Sequence, residues 1–202
     1  MGNTYTSQCT LTEGELAEFQ ARTVFTADEI RALWCYFKKI NSGTDHINRR
    51  QFQAGMLFRD SALLDRIFRV FDVDDDNQIS FYEYLSCLST ISTKAPKEDK
   101  LRFSFQIYDF DGDGYISVTD LTAVVAATLR EHQIVILRSD IDQIVANTMR
   151  EANTKNANMI SQEEYIALCA NRTQMLAQLT INISNIIAEY TKNNVIALSS
   201  PR

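Results

Sequence analysis

Proline occurs twice and glycine six times in 202 residues. Turn punctuation is therefore too sparse for a fold of many short strands, and the chain reads as helical. The four cysteines stand at positions 9, 35, 87 and 169, with no C-x-x-C pair and no zinc spacing. Scattered thiols of this kind fit a reducing compartment. No apolar run approaches the ~18 residues of a membrane span. The stretches Val124–Ala127 and Ile134–Leu137 are far shorter. A secretory leader is not expected either, because the opening residues show no basic segment followed by an apolar one. Positive charge is in deficit, at a net -6, which argues against nucleic acid as a partner. Histidine is limited to His46 and His132, and no G-x-S-x-G, H-E-x-x-H or glycine-rich phosphate loop is present. Catalysis is not expected. With 45 % apolar and 23 % charged residues, a normal packed core is expected.

The chain opens Met1-Gly2-Asn3-Thr4-Tyr5-Thr6, which fits the N-myristoylation pattern M-G-x-x-x-[ST]. One myristoyl chain holds a membrane only marginally. Cys9 lies close enough to carry a second lipid, whereas basic support is missing before Arg22. The expectation is a cytoplasmic protein, associated with membranes if Gly2 and Cys9 are acylated.

What is abundant is a repeat. The segment 72–83, DVDDDNQISFYE, returns at 109–120 as DFDGDGYISVTD. Both copies carry carboxylates at loop positions 1, 3, 5 and 12, Ile at 8 and Ser at 9. Each follows an aromatic pair at helical spacing, Phe68/Phe71 and Phe105/Tyr108. The pattern is that of the EF-hand calcium loop. Ca²⁺ is a hard ion that takes six to eight oxygens. Alternate residues of a tight loop aim Asp72, Asp74 and Asp76, or Asp109, Asp111 and Asp113, at one point. Position 7 (Gln78, Tyr115) offers a backbone oxygen, and position 9 (Ser80, Ser117) often acts through water. Glu83 and Asp120 close the two spheres. Position 6 requires positive φ and is Asn77 in one loop and Gly114 in the other. Asp120 is one methylene shorter than Glu, which favours six-fold coordination and makes Mg²⁺ an alternative ion there. Removing the eight ligand carboxylates would leave a formal charge of +2. The acidity belongs to the loops and is not a steering field.

Two degenerate copies complete the set. Ile47 and Ile160 stand where the loops carry Ile79 and Ile116. The loop from Asn153 has Lys155 at position 3 and Ala157 at position 5, so Glu164 alone cannot hold the ion. The loop from Asn41 is one residue short, with Gln51 in the closing place. Both are expected to be metal-free. The motifs should pair first with second and third with fourth, each pair joined by a short β-bridge at the isoleucines. The predicted fold is all-α: two EF-hand lobes and an extra C-terminal helix. The expected division is a tail at 1–23, lobes at 24–93 and 94–172, and an amphipathic helix with its tail at 173–202. Thr26 to Glu29 forms a capping box with Phe25 and Ile30 as staple. Ser139 with Asp142 marks the start of the helix running through Met149. Leu57, Phe58, Leu63, Leu64, Leu85, Leu88, Phe103 and Phe105 are candidate groove or core residues. Leu176, Leu179, Ile183, Ile186, Ile187 and Tyr190 line one side of the last helix.

The segments 25–40, 65–72 and 100–109 resemble the first three entering helices of the calcineurin B-like branch of EF-hand proteins. The likeness is greatest to the plant- and protist-type sensors, then to calcineurin B itself. It implies a Ca²⁺ sensor without catalysis that docks a helix of a kinase, a phosphatase catalytic subunit or a scaffold, and it implies an N-terminal myristate in several members. The short first loop, Asp120 and the degenerate fourth loop depart from the family pattern. A calcineurin regulatory subunit, an axonemal calaxin-like protein and a passive Ca²⁺ buffer are the alternative readings.

Overall fold

A computed structural model describes residues 11–56, 61–131, 133–152 and 158–170. Gly2, Cys9, Leu57, Phe58, most of the segment from Asn153 to Ile160 and the whole of 173–202 lie outside the described residues. The elements run α1 (Glu13–Arg22), α2 (Ala27–Ile40), β1 (His46–Ile47), α3 (Arg49–Met56), α4 (Ala62–Phe71), β2 (Ile79–Ser80) and α5 (Phe81–Ile91). They continue with α6 (Lys97–Tyr108), β3 (Tyr115–Ser117), α7 (Val118–Glu131), α8 (Arg138–Ala152), β4 (Met159–Ser161) and α9 (Gln162–Ala170). Among the described residues the fold is all-α apart from two antiparallel strand pairs. Ile47 pairs with Ile79 in one and Ile116 with Ile160 in the other, the expected pairing of motifs. All four isoleucines are buried, since each bridge turns its apolar side chain into the core between paired loops.

The chain divides into two compact units: 11–56 with 71–95, and 61–70 with 96–170 among the described residues. In the first, Ile30, Leu33 and Phe37 of α2 are buried, one helical stripe at spacings of three and four. Phe37 meets Phe81 at 5.3 Å and Tyr84 at 5.5 Å between ring centroids, and Phe52 meets Phe71 at 5.0 Å. The expected capping box at Thr26 is present: Glu29 N–H donates to Thr26 Oγ1 and Thr26 N–H donates to Glu29 Oε2. Glu29 also pairs with Lys94. In the second unit Leu101, Phe105, Ile116, Leu121, Val145, Met149, Ile160, Tyr165 and Cys169 form one buried cluster. The Tyr165 hydroxyl lies 2.9 Å from Ser104 Oγ within it.

Three features differ from the sequence reading. The stretch taken as tail contains α1, opened by a second capping box, Thr12 with Glu15. Leu16 is its one buried residue, so no apolar stripe announces it. Phe19 nevertheless packs edge-on to Phe81 at 5.2 Å, and Arg22 sits over the Tyr82 ring. Second, α8 starts at Arg138, so Ser139 lies inside the first turn and is not its cap. The carbonyl of Leu137 accepts from Asp140 and Ile141 N–H and opens the helix. Third, the long interval between Ile116 and Ile160, which by its length has room for an insertion near residues 130–133, instead holds a helix stop and a linker. Gln133 has φ 57°, its N–H donates to Arg130 O, and Ile134 N–H donates to Leu129 O. This is a Schellman ending with Gln in the place that usually holds Gly. It leaves Ile134, Val135 and Leu137 exposed.

Candidate metal centre

The second and third loops are built by their own carboxylates. Asp72 Oδ1 accepts from Asp76 N–H at 3.0 Å, and Oδ2 accepts from Asn77 N–H at 2.9 Å. Asp76 Oδ1 accepts from Gln78 N–H at 2.7 Å. In the third loop Asp109 Oδ1 accepts from Gly112 and Asp113 N–H, and Oδ2 from Gly114 N–H. Asp113 Oδ1 accepts from Tyr115 N–H at 2.8 Å. The amides bend each loop inward. One oxygen from each of Asp72, Asp74 and Asp76 lies within 4.8 Å of the others, and the same holds for Asp109, Asp111 and Asp113. Three carboxylates drawn so close suit a hard cation with oxygen ligands. Asp72 and Asp109 are buried, and the others face solvent.

Position 6 has positive φ in both loops, 63° at Asn77 and 90° at Gly114. Position 4 does too, at Asp75 (58°) and Gly112 (82°), which the sequence reading missed. The second loop thus meets both left-handed places with the non-glycine types that tolerate them best.

The closing residues behave alike despite their lengths. Glu83 Oε1 accepts from Val73 and Asp74 N–H at 2.9 and 3.4 Å, and Oε2 from Ser80 N–H and Oγ. Asp120 Oδ1 accepts from Phe110 and Asp111 N–H at 3.2 and 3.3 Å, and Oδ2 from Ser117 N–H and Oγ. Ser80 and Ser117 therefore serve the closing carboxylates directly, as caps of α5 and α7. Burial opposes charge on Glu83, but the bonds from Ser80, Val73 and Asp74 hold its carboxyl below the usual range. Burial pushes Asp72 up, the N–H groups of Asn77 and Asp76 oppose this, and the carboxylates of Asp76 and Glu83 add to it. Cys87, one turn beyond Glu83, is a buried thiol pushed up to about 12 by burial and by that carboxylate. It is a buried, packed thiol.

The degenerate first loop is closed by donors. Gln51 Nε2 donates to Asn41 O, and Asn41 Nδ2 donates to Thr44 O. The Lys38 ammonium donates to Thr44 O and Asp45 Oδ1, both at 3.0 Å. An amide and a tethered cation thus engage the oxygens that a metal ion would need. Lys38 could have been suspected only from its place one turn before Asn41. In the fourth motif Glu164 Oε2 accepts from Ser161 N–H, while Lys155 and Ala157 lie outside the described residues. Among the described residues no helix is long and apolar enough to cross a membrane.

The family profile of the EF-hand domain pair matches residues 98–170, and a second profile of that description matches residues 51–91. The type 1 calcineurin B subunit of Dictyostelium discoideum is 31 % identical over 189 residues, covering 91 % of this chain and 99 % of that protein. The calcineurin B subunit of Naegleria gruberi is 32 % identical, covering 79 % and 89 %. The type 2 calcineurin B subunit of Dictyostelium discoideum is 30 % identical, covering 79 % and 86 %.

Proposed function

The chain belongs to the calcineurin B-like family of EF-hand proteins and binds Ca²⁺, and we propose that it is a non-catalytic calcium sensor working through its second and third loops. Asp72, Asp74, Asp76, Gln78, Ser80 and Glu83 would hold one ion; Asp109, Asp111, Asp113, Tyr115, Ser117 and Asp120 the other. The observation that carries this is the pair of matching carboxylate cages, each folded inward by backbone amides and closed by a capping carboxylate. The functional lobes we propose are 24–93 and 94–172, with one metal loop each; residues 62–70 of α4 group with the second compact unit. The segment 1–23 would carry acylation at Gly2 and Cys9 and so a route to membranes. The segment 173–202, expected as an amphipathic helix with its tail, would either lie in or beside the partner groove and compete with a target helix, or pack permanently as an extra core helix.

The partner we infer is a phosphatase catalytic chain, because the relatives are each named as a subunit of calcineurin. A protein kinase is the alternative target. Of the candidate groove residues, Leu64, Leu85, Leu88, Phe103 and Phe105 are buried. A docking surface made from them has to be opened, which is what ion binding does in sensor EF-hands and hardly at all in buffers. The test is a pull-down with and without Ca²⁺, with Asp72→Ala plus Asp109→Ala as control, alongside an apolar dye. A phosphatase or kinase chain recovered in Ca²⁺ by the unmodified protein, with dye binding to match, is the expected result. Dye binding unchanged by Ca²⁺ would instead mark a buffer.

Asp120 reaches the same amides as Glu83 but spans less distance to an ion. We infer that the third loop takes both Ca²⁺ and Mg²⁺. Asp120→Glu is expected to tighten Ca²⁺ by about tenfold, the equivalent of one more charged contact of about 1.4 kcal/mol. Calorimetry in both ions decides it, and unchanged Ca²⁺ affinity would count against the idea.

A further inference from the structure

Helix α4 carries Arg66, and its guanidinium is engaged far along the chain. Nε and Nη2 both donate to the Gln106 carbonyl, at 2.8 and 2.5 Å. Gln106 lies in the last turn of α6, where carbonyls lack helical partners and a cation is favoured. The third Arg66 nitrogen, Nη1, stands 3.5 Å from where a Cβ on Gly112 would be. Gly112 is inside the 109–120 loop. The guanidinium therefore bridges the end of α6 and the loop that follows it. Burial disfavours its charge, Asp109, Asp120 and Asp111 attract it, and Arg69 on the same helix repels it.

We propose that Arg66 is a tethered internal cation that weakens divalent-ion binding at the 109–120 loop. This rests on the reading of that loop as a metal site. A fixed positive charge beside Gly112 partly neutralises the carboxylates that an incoming ion must share, and it repels that ion once bound. A unit charge roughly 8 Å from a divalent ion in a water-like dielectric changes its affinity about fivefold at low salt, and about twofold at physiological ionic strength. By linkage, the bound ion must loosen the Arg66 contact by the same factor. Because α4 ends at Phe71, next to Asp72 of the other loop, that contact lies on the helix entering the second metal site. No periodicity or loop pattern marks the residue, since its two partners are 40 and 46 positions away.

The test is calorimetric titration of the full chain with CaCl₂ in an Asp72→Ala background, where the 72–83 loop is disabled. Arg66→Gln and Arg66→Met should each tighten the remaining site about fivefold at low salt, with the gain shrinking towards twofold at 0.15 M. Arg66→Lys should restore the weaker affinity. Unchanged or weaker binding in both neutral variants, or a gain indifferent to salt, would overturn the role of Arg66 while leaving the site intact. Absence of any Ca²⁺ binding in Asp72→Ala with Arg66 present would instead overturn the assignment of the 109–120 loop as a metal site.

Discussion

Calcium is expected to stabilise the chain by about 5 kcal/mol once the free ion stands a hundredfold above both dissociation constants, since each site contributes about 2.7 kcal/mol under that condition. A chelator should remove the whole of it. The cause is the crowding of carboxylates, three within 4.8 Å in each loop. The pH dependence carries the sign of the individual groups. Burial holds Asp72 above its ordinary range in the metal-free protein. The contribution of that group is therefore fully present below the ordinary Asp range and is lost as pH rises through the raised value. At neutral pH the ionised group burdens the metal-free fold until an ion neutralises it. Glu83 runs the opposite way. Its hydrogen bonds outweigh burial, so its contribution is present above the ordinary Glu range and is lost as pH falls through the lowered value. The Ca²⁺ effect should consequently fade as pH drops into the carboxylate range. Urea unfolding with Ca²⁺ and with chelator, at neutral and acid pH, measures this. Equal stability in the two conditions at neutral pH, or a Ca²⁺ shift surviving in the Asp72→Ala plus Asp109→Ala chain, would contradict the assignment.

Phe37→Ala should lower the stability of the metal-free chain by about 3–5 kcal/mol, the range for emptying a buried aromatic site. Phe37 has no exposed surface. Its ring lies against those of Trp34, Phe81 and Tyr84. Phe81 and Tyr84 flank the closing residue Glu83 on α5, so the cavity would open directly behind the second metal loop. The neighbouring Lys94–Glu29 pair is partly exposed and offers a contrast, because such pairs are worth about 0–1 kcal/mol. The urea midpoint, followed through Trp34 fluorescence, reports the loss. A change below about 1 kcal/mol would mean that the aromatic cluster does not hold this unit together.

Much of the architecture was readable in advance. The repeated twelve-residue loops announced themselves through chemistry confined to adjacent residues, and the four isoleucines announced the pairing. Their register, Ile47 with Ile79 and Ile116 with Ile160, is found as expected. The capping box at Thr26 was equally legible because all its partners lie within four residues. Helix α1 was not, since one buried leucine makes no periodic signal. The start of α8 was misplaced because backbone carbonyls, which every residue has, open that helix.

Metal chemistry in this protein was therefore written in short segments, where ligand type and spacing are both local. Gln51 in the closing place of the first degenerate loop belonged to that local pattern, whereas the carboxylate cage that lies beside Arg66 emerged only on folding. Packing brings together groups up to dozens of positions apart, and a charge acts through distance in space, whatever its separation along the chain.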